Sequence, residues 1–364
     1  MKPTQIITQI FRLIVGVTFI FSGFVKLVDP IGTKIKLLEY FGDDVLNLTF
    51  LNDYALIIGI FMIIAEFGLG VWLLFGLKSK QTSILLLIMI TLFLFLTWYS
   101  AYYNKVTDCG CFGDAVKLTT WETFYKNVVL FIMIVWLLKY HRYIKPVLAE
   151  KTTKFLAIFI YSLGLFVMKY SLNHLPVIDF RPYAKGKNIQ KGMDIPEGAP
   201  QAKFKDTWYY KVDGEVKEFS NEDEPWNIEG AEFVDRKTET LSEGYVPPIH
   251  DFSIENDDKG DITEDVLQAD EIYLIISSNP DEMDEKAISS ANKLAQKLTK
   301  EGKKVIGMFS HYDEEILPKF DFELFLADET TLKTMIRSNP GLIKLQKGTV
   351  VEKKSWRDFD IKDL

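Results

Sequence analysis

The run Tyr54–Leu77, YALIIGIFMIIAEFGLGVWLLFGL, decides the architecture. It carries one charged side chain, Glu66, in 24 residues. The hydrocarbon core of a bilayer takes about 20 apolar residues of helix, so this run is long enough to cross. Four more runs share the property: Ile6–Val25, Thr82–Tyr102, Phe124–Tyr140 and Phe155–Ser171. The first is too long for the apolar region of a signal peptide. It lacks a small-x-small cleavage site and continues into Phe24 and Lys26, so it reads as a retained helix. About five spans predict a membrane α-helical bundle.

Charge divides the chain. Residues 1–173 hold 16 Lys and Arg against 10 Asp and Glu; residues 174–364 hold 26 against 40. The front is a membrane unit, and the back is an acidic, soluble one. Such a balance excludes a basic nucleic-acid-binding surface. Two cysteines and four scattered histidines offer no zinc cluster and no other metal site. Short-loop Lys and Arg bias sets the orientation. Lys78 and Lys80 follow the second span; Lys139, Arg142, Lys145, Lys151 and Lys154 follow the fourth. Both loops are expected in the cytoplasm. The first and third loops and the acidic half then face outward, which in a bacterium means the periplasm. Lys34 and Lys36 in the first outer loop oppose this assignment weakly.

The third loop holds the only two cysteines, in Thr107-Asp108-Cys109-Gly110-Cys111-Phe112-Gly113-Asp114. Two such close thiols are natural partners. A disulfide needs Cα atoms about 4.4–6.8 Å apart, which a bent Cys-x-Cys reaches. Gly110 and Gly113 supply the positive φ that so tight a turn needs. A strained or exposed disulfide is the exchangeable kind. The alternatives are a static staple or two idle thiols. An oxidising compartment favours oxidation without separating staple from catalyst. Glu66 is the other candidate, since an intramembrane carboxylate is a functional hypothesis by default. The alternative is a bundle-interior residue held by Lys26, Arg12 or backbone. Ile35–Phe41 has helical spacing and suggests a short interfacial helix. Gly16, Gly23, Gly68 and Gly70 suit close helix approach.

These residues carry a resemblance. Ser22-Gly-x-x-Lys26, Glu66 with Gly68 and Gly70, and Cys109-Gly-Cys-Phe-Gly113 resemble the DoxX membrane family, and the cysteine motif resembles its MauE branch. The likeness spans about residues 5–140. The whole chain resembles a DoxX-family fusion found in Bacteroidetes, with a C-terminal thioredoxin-like domain. MauE likeness implies maturation of a disulfide-rich periplasmic enzyme subunit. DoxX likeness implies respiratory sulfur and quinone chemistry.

Beyond the spans, Asp179-Phe-Arg-Pro-Tyr183 opens a connecting region. A hairpin is predicted at Trp208–Val212 and Glu215–Phe219 across Asp213-Gly214. Asn221–Glu229 reads as a solvated acidic loop that Trp226 pins. From residue 247 the predicted order is strand Glu271–Ser277, helix Asp281–Lys300, strands Lys304–Phe309 and Phe322–Ala327, and helix Glu329–Arg337. A terminal pair, Gly341–Leu345 and Thr349–Glu352, follows. That order resembles the thioredoxin fold of the periplasmic TlpA sort, with Asn339-Pro340 at its cis-proline position. Ser278-Asn279-Pro280-Asp281 stands where the fold's Cys-x-x-Cys would open the first helix, so this domain has no exchange chemistry of its own.

The expected division is residues 1–145 bundle, 146–173 fifth span, 174–246 connecting region and 247–364 thioredoxin-like domain lacking Cys-x-x-Cys. The expected function is a multi-pass inner-membrane thiol-disulfide accessory or maturation factor. Cys109 and Cys111 are the redox pair, with Glu66 as a further candidate. The partners are membrane lipid and a periplasmic protein client or redox protein, with no nucleic acid. No cofactor motif is visible, and a quinone is the candidate electron acceptor. The alternatives are an assembly scaffold with a structural disulfide and a DoxX-type sulfur- or quinone-linked subunit.

Overall fold

The computed structural model describes residues 2–106, 110–242 and 244–359. Five helices among them are long and apolar enough to span a membrane. They are α1 (Pro3–Val28), α3 (Ala55–Phe75), α4 (Ser79–Tyr103), α5 (Thr120–Lys139) and α6 (Glu150–Asn173). Each matches a predicted run. The interfacial helix α2 (Pro30–Phe41) is also present but starts five residues before the expected Ile35. Pro30 suits the first helical position, and Asp29 Oδ1 accepts the Gly32 N–H at 2.9 Å.

Small residues set the centre of the bundle. A Cβ on Gly23 would lie 2.8 Å from the Phe67 backbone, and one on Gly70 would lie 2.8 Å from Ile20 N. So α1 and α3 touch backbone to backbone. Lipid tails are as apolar as leucine, so close packing rather than water exclusion holds such helices together. Gly23→Val is expected to cost about 1–3 kcal/mol by overpacking. A lowered unfolding temperature in detergent would show it. The other spans close around Phe19, Leu73, Leu86, Ile90 and Ile134.

After α7 (Ile189–Met193) comes a three-stranded sheet of β1 (Lys203–Val212), β2 (Glu215–Phe219) and β3 (Glu232–Ser242), in the order β2-β1-β3. The predicted hairpin is there, and Asp213 and Gly214 both have positive φ, as its tight turn requires. β1 is longer than expected because β3 pairs along it from Lys203 to Lys211. Trp226 packs edge-on to Trp208 at 5.6 Å.

The C-terminal sheet contains β4 (Glu255–Asn256), β5 (Gly260–Asp261), β6 (Ile272–Ser277), β7 (Val305–Phe309), β8 (Leu324–Leu326), β9 (Gly341–Gln346) and β10 (Thr349–Ser355). Helices α8 (Thr263–Gln268), α9 (Glu285–Lys300) and α10 (Glu329–Met335) complete it. The strand order is β10-β9-β6-β7-β8-β4-β5. β6, β7 and β8 are parallel, and β9 runs antiparallel to β6. Both faces are covered, which explains why β6 is apolar throughout. Ile272, Leu274 and Ile276 meet Val266, Leu332 and Met335. Tyr273 and Ile275 meet Ala291, Leu294 and Leu298 of α9. Tyr183 and Ile189 enter the first of these clusters.

Two helix boundaries differ from the sequence reading. α9 begins at Glu285 rather than Asp281, because Pro280–Glu282 forms a short 3-10 turn and Asp284 accepts the Ala287 N–H at 2.8 Å. α10 ends at Met335 rather than Arg337, because Ile336 is extended. The Asn339–Pro340 bond is cis.

Candidate functional site

Ser22 and Lys26 lie four residues apart, so they share one face of α1. Glu66 sits on α3 opposite them, with 3% of its surface exposed. The Lys26 Nζ donates to Glu66 Oε2 at 3.0 Å, to Oε1 at 3.2 Å and to Ser22 Oγ at 2.8 Å. It also donates to the Cys111 carbonyl at 2.8 Å, and the Ser22 hydroxyl donates to that same oxygen at 2.5 Å. Of the partners open to Glu66 in the sequence, Lys26 is therefore the one that pairs with it. Arg12 instead donates to the carbonyls of Leu73 and Leu74, at the end of α3.

The cysteine turn is thus held by its backbone from below. Gly110 and Gly113 have φ of +60° and +49°. A side chain at Gly113 would press on Val25, and one at Gly110 on Lys36. Phe112 packs on Phe21, with ring centroids 5.4 Å apart, and Lys126 Nζ lies 4.2 Å from the Phe112 ring. Cys111 is half-buried. Cys109, and with it the pairing of the two cysteines, lies outside the described residues. Trp98, Tyr99, Tyr102 and Tyr103 end α4, and Trp121 and Tyr125 begin α5. Amphipathic aromatics collect at the membrane–water boundary, which places the turn at that level.

A cavity of about 550 Å³ opens beside the turn, between the helical bundle and the C-terminal domain. Lys26, Asp29 and Cys111 bound it on the bundle side, and Asp179, Arg181 and Arg337 on the other. It reaches α4 at Phe93 and Leu96, so its far wall is apolar while its mouth is charged. That volume is in the range of small-molecule sites.

Two charge clusters frame the mouth. Arg337 Nε bonds both carboxylate oxygens of Asp29, at 2.9 and 3.1 Å, and its Nη2 lies 3.9 Å from Asp114. Arg181 is 3% exposed and grips Asp179 with two bonds, at 2.7 and 3.0 Å. Lys353 Nζ joins Asp179 Oδ2 at 2.6 Å and the Tyr183 carbonyl at 3.1 Å. Burial pushes the Lys353 ammonium down to about 8, and the charge of Arg181 adds to this; Asp179 offsets part of it. Burial raises the Asp179 carboxyl, but Arg181 and Lys353 outweigh it and hold the group below its ordinary value.

The sequence reading had named Cys111, Glu66, Ser22 and Lys26, and the fold brings these four together. It had not anticipated Asp29, Asp114, Asp179, Arg181, Arg337 or Lys353 as neighbours of the turn. Asp179-Phe-Arg181 was the one local signal, since an acid and a base two apart can pair when the chain turns.

No curated protein and no solved structure matches the chain. Residues 4–140, which include α1 to α5 and the cysteine turn, match the family model described as methylamine utilisation protein MauE. The matched bundle, built around Lys26, Glu66 and the cysteine turn, belongs to the MauE family of membrane proteins.

Proposed function

We propose that this multi-pass membrane protein is a thiol-disulfide accessory or maturation factor in a bacterial inner membrane. Its cysteine turn and C-terminal domain face the periplasm. Cys109 and Cys111 exchange with a secreted client, and the C-terminal domain, thioredoxin-like and without its cysteines, docks that client. The observation that carries this reading is the seat of Cys111. Its backbone is fixed by Lys26 and Ser22 at the wall of a cavity shared by both halves. A reactive thiol must be accessible yet positioned, and this arrangement supplies both. The strand order β10-β9-β6-β7, with the α9 crossover and a cis-proline before β9, supports the thioredoxin-like part.

In the oxidising direction, a client thiolate attacks the Cys109–Cys111 disulfide and forms a mixed disulfide. A second client thiolate then releases a reduced pair. The client loses two electrons and two protons, and the pair gains them. Re-oxidation passes them to an acceptor, a quinone in the bilayer or a periplasmic redox protein. Glu66 then serves as counter-charge to Lys26, tethering the turn.

Replacement of Cys109 or Cys111 by Ser, one at a time, tests the reading. One single variant is expected to accumulate a reductant-sensitive adduct on a non-reducing gel, and the double variant none. If neither single variant traps a partner, and the wild-type pair stays oxidised under reductive and oxidative stress, exchange is lost. The second reading then stands: an assembly scaffold with a permanent disulfide. The backbone anchoring of Cys111 favours that reading too, because a staple also needs fixed ends.

A further inference from the structure

We infer that the C-terminal domain is a cap over the cysteine turn and that Arg337 is its latch. The inference rests on the exchange reading, because it names how access to the same site is controlled. Arg337 follows α10, and its Nη1 also donates to the Lys333 carbonyl, so its base is fixed in the C-terminal domain. Its guanidinium reaches across to the bundle. There it bonds Asp29, at the corner between α1 and α2, and approaches Asp114, three residues beyond Cys111. One side chain, 9% exposed, thus joins the C-terminal domain, the α1–α2 corner and the cysteine turn.

The contact suits a latch because its two sides survive its opening. Asp29 still accepts the Gly32 N–H that caps α2. Arg337 still holds the end of α10. The polypeptide joins cap to bundle at the end of α6, where His174 meets Asp358 at 2.5 Å, so the cap stays tethered when the latch opens. The closed cavity of about 550 Å³ admits a small molecule but not a folded polypeptide. A protein client therefore reaches Cys111 only after the Arg337–Asp29 contact parts.

The test uses the full-length protein with Cys109→Ser, which leaves Cys111 as its single thiol. Two probes are compared: a small methanethiosulfonate, and a maleimide carrying a polyethylene-glycol chain of several kilodaltons. Arg337→Gln and, from the opposite side, Asp29→Asn are expected to speed the bulky probe on the order of tenfold, an ordinary size of coupling. The small probe should change little. The swap Asp29→Arg with Arg337→Asp should restore protection, which separates a lost latch from a misfolded domain. Equal bulky-probe rates in all variants would overturn the latch. So would a rise in both probes together, which marks loosening of the turn itself, or a swap that fails to protect. No client or disulfide enters this measurement, so its failure is distinct from failure of the exchange reading.

Discussion

Glu66→Leu is expected to destabilise the bundle by about 3–5 kcal/mol, the usual cost of stranding one member of a buried ion pair. Lys26 would lose its only carboxylate among the described residues, keeping Ser22 and the Cys111 carbonyl as neutral acceptors. Its side chain is only 13% exposed, so water replaces little of the loss. Glu66→Gln should cost less, because the amide is isosteric and its oxygen still accepts a bond from Nζ. Adding Lys26→Met to Glu66→Leu should recover much of the loss, since apolar pairs often match buried ion pairs in stability. Unfolding of the four proteins in detergent, compared as a double-mutant cycle, measures this. The turn should respond as well. Lys26 and Ser22 are the two side chains on the Cys111 carbonyl, so Lys26→Met should raise the reactivity of Cys111 to a small thiol probe. A Glu66→Leu protein as stable as wild type would show that the pair adds nothing to the bundle.

The bundle was legible because span length and local charge depend on nearest neighbours alone. Tyr54–Leu77 is apolar enough that only a membrane or a large core could hold it, and α3 follows that run closely. β6 and α9 were readable for a related reason. Their apolar periods, continuous in one and one-faced in the other, are local consequences of burial on two sides and on one. What was not legible lies in pairings of long sequence separation. Arg337 meets Asp29 308 residues away, and Lys353 meets Asp179 174 residues away. No periodicity marks such partners, because each charge looks like an ordinary surface residue until the chain folds. The third strand β3 was hidden likewise: Glu232–Ser242 alternates weakly and gains its identity from β1. Glu66 shows the intermediate case. Its need for a partner followed from its apolar flanks, while the choice of Lys26 over Arg12 followed from how α1 crosses α3.

The second large effect is expected at Asp179. It is the one acid holding two buried bases, Arg181 and Lys353, whose side chains are 2% and 6% exposed. Asp179→Asn leaves both cations facing each other without a counter-charge, at an expected cost of about 3–5 kcal/mol near neutral pH. The pH dependence carries its own sign. Lys353 titrates at about 8 in the folded protein, against about 10.4 for a free lysine. Below 8 both folded and unfolded forms are protonated, and the folded state bears the full cost of the buried charge. Between those two values the unfolded chain binds more protons, so stability rises with pH. Without Asp179 the folded lysine titrates lower still, and the relief begins earlier and runs further. The Asp179→Asn deficit should therefore shrink between pH about 7 and about 9.5, by on the order of 1 kcal/mol. Denaturant unfolding of the full-length protein, followed by amide protection in β9 and β10, reads both effects. Lys353→Met in the Asp179→Asn background should remove the pH dependence and recover part of the loss, because the remaining cation, Arg181, still has the Thr334 carbonyl at 3.2 Å. A deficit independent of pH would mean that the buried charge of Lys353 is not what Asp179 offsets.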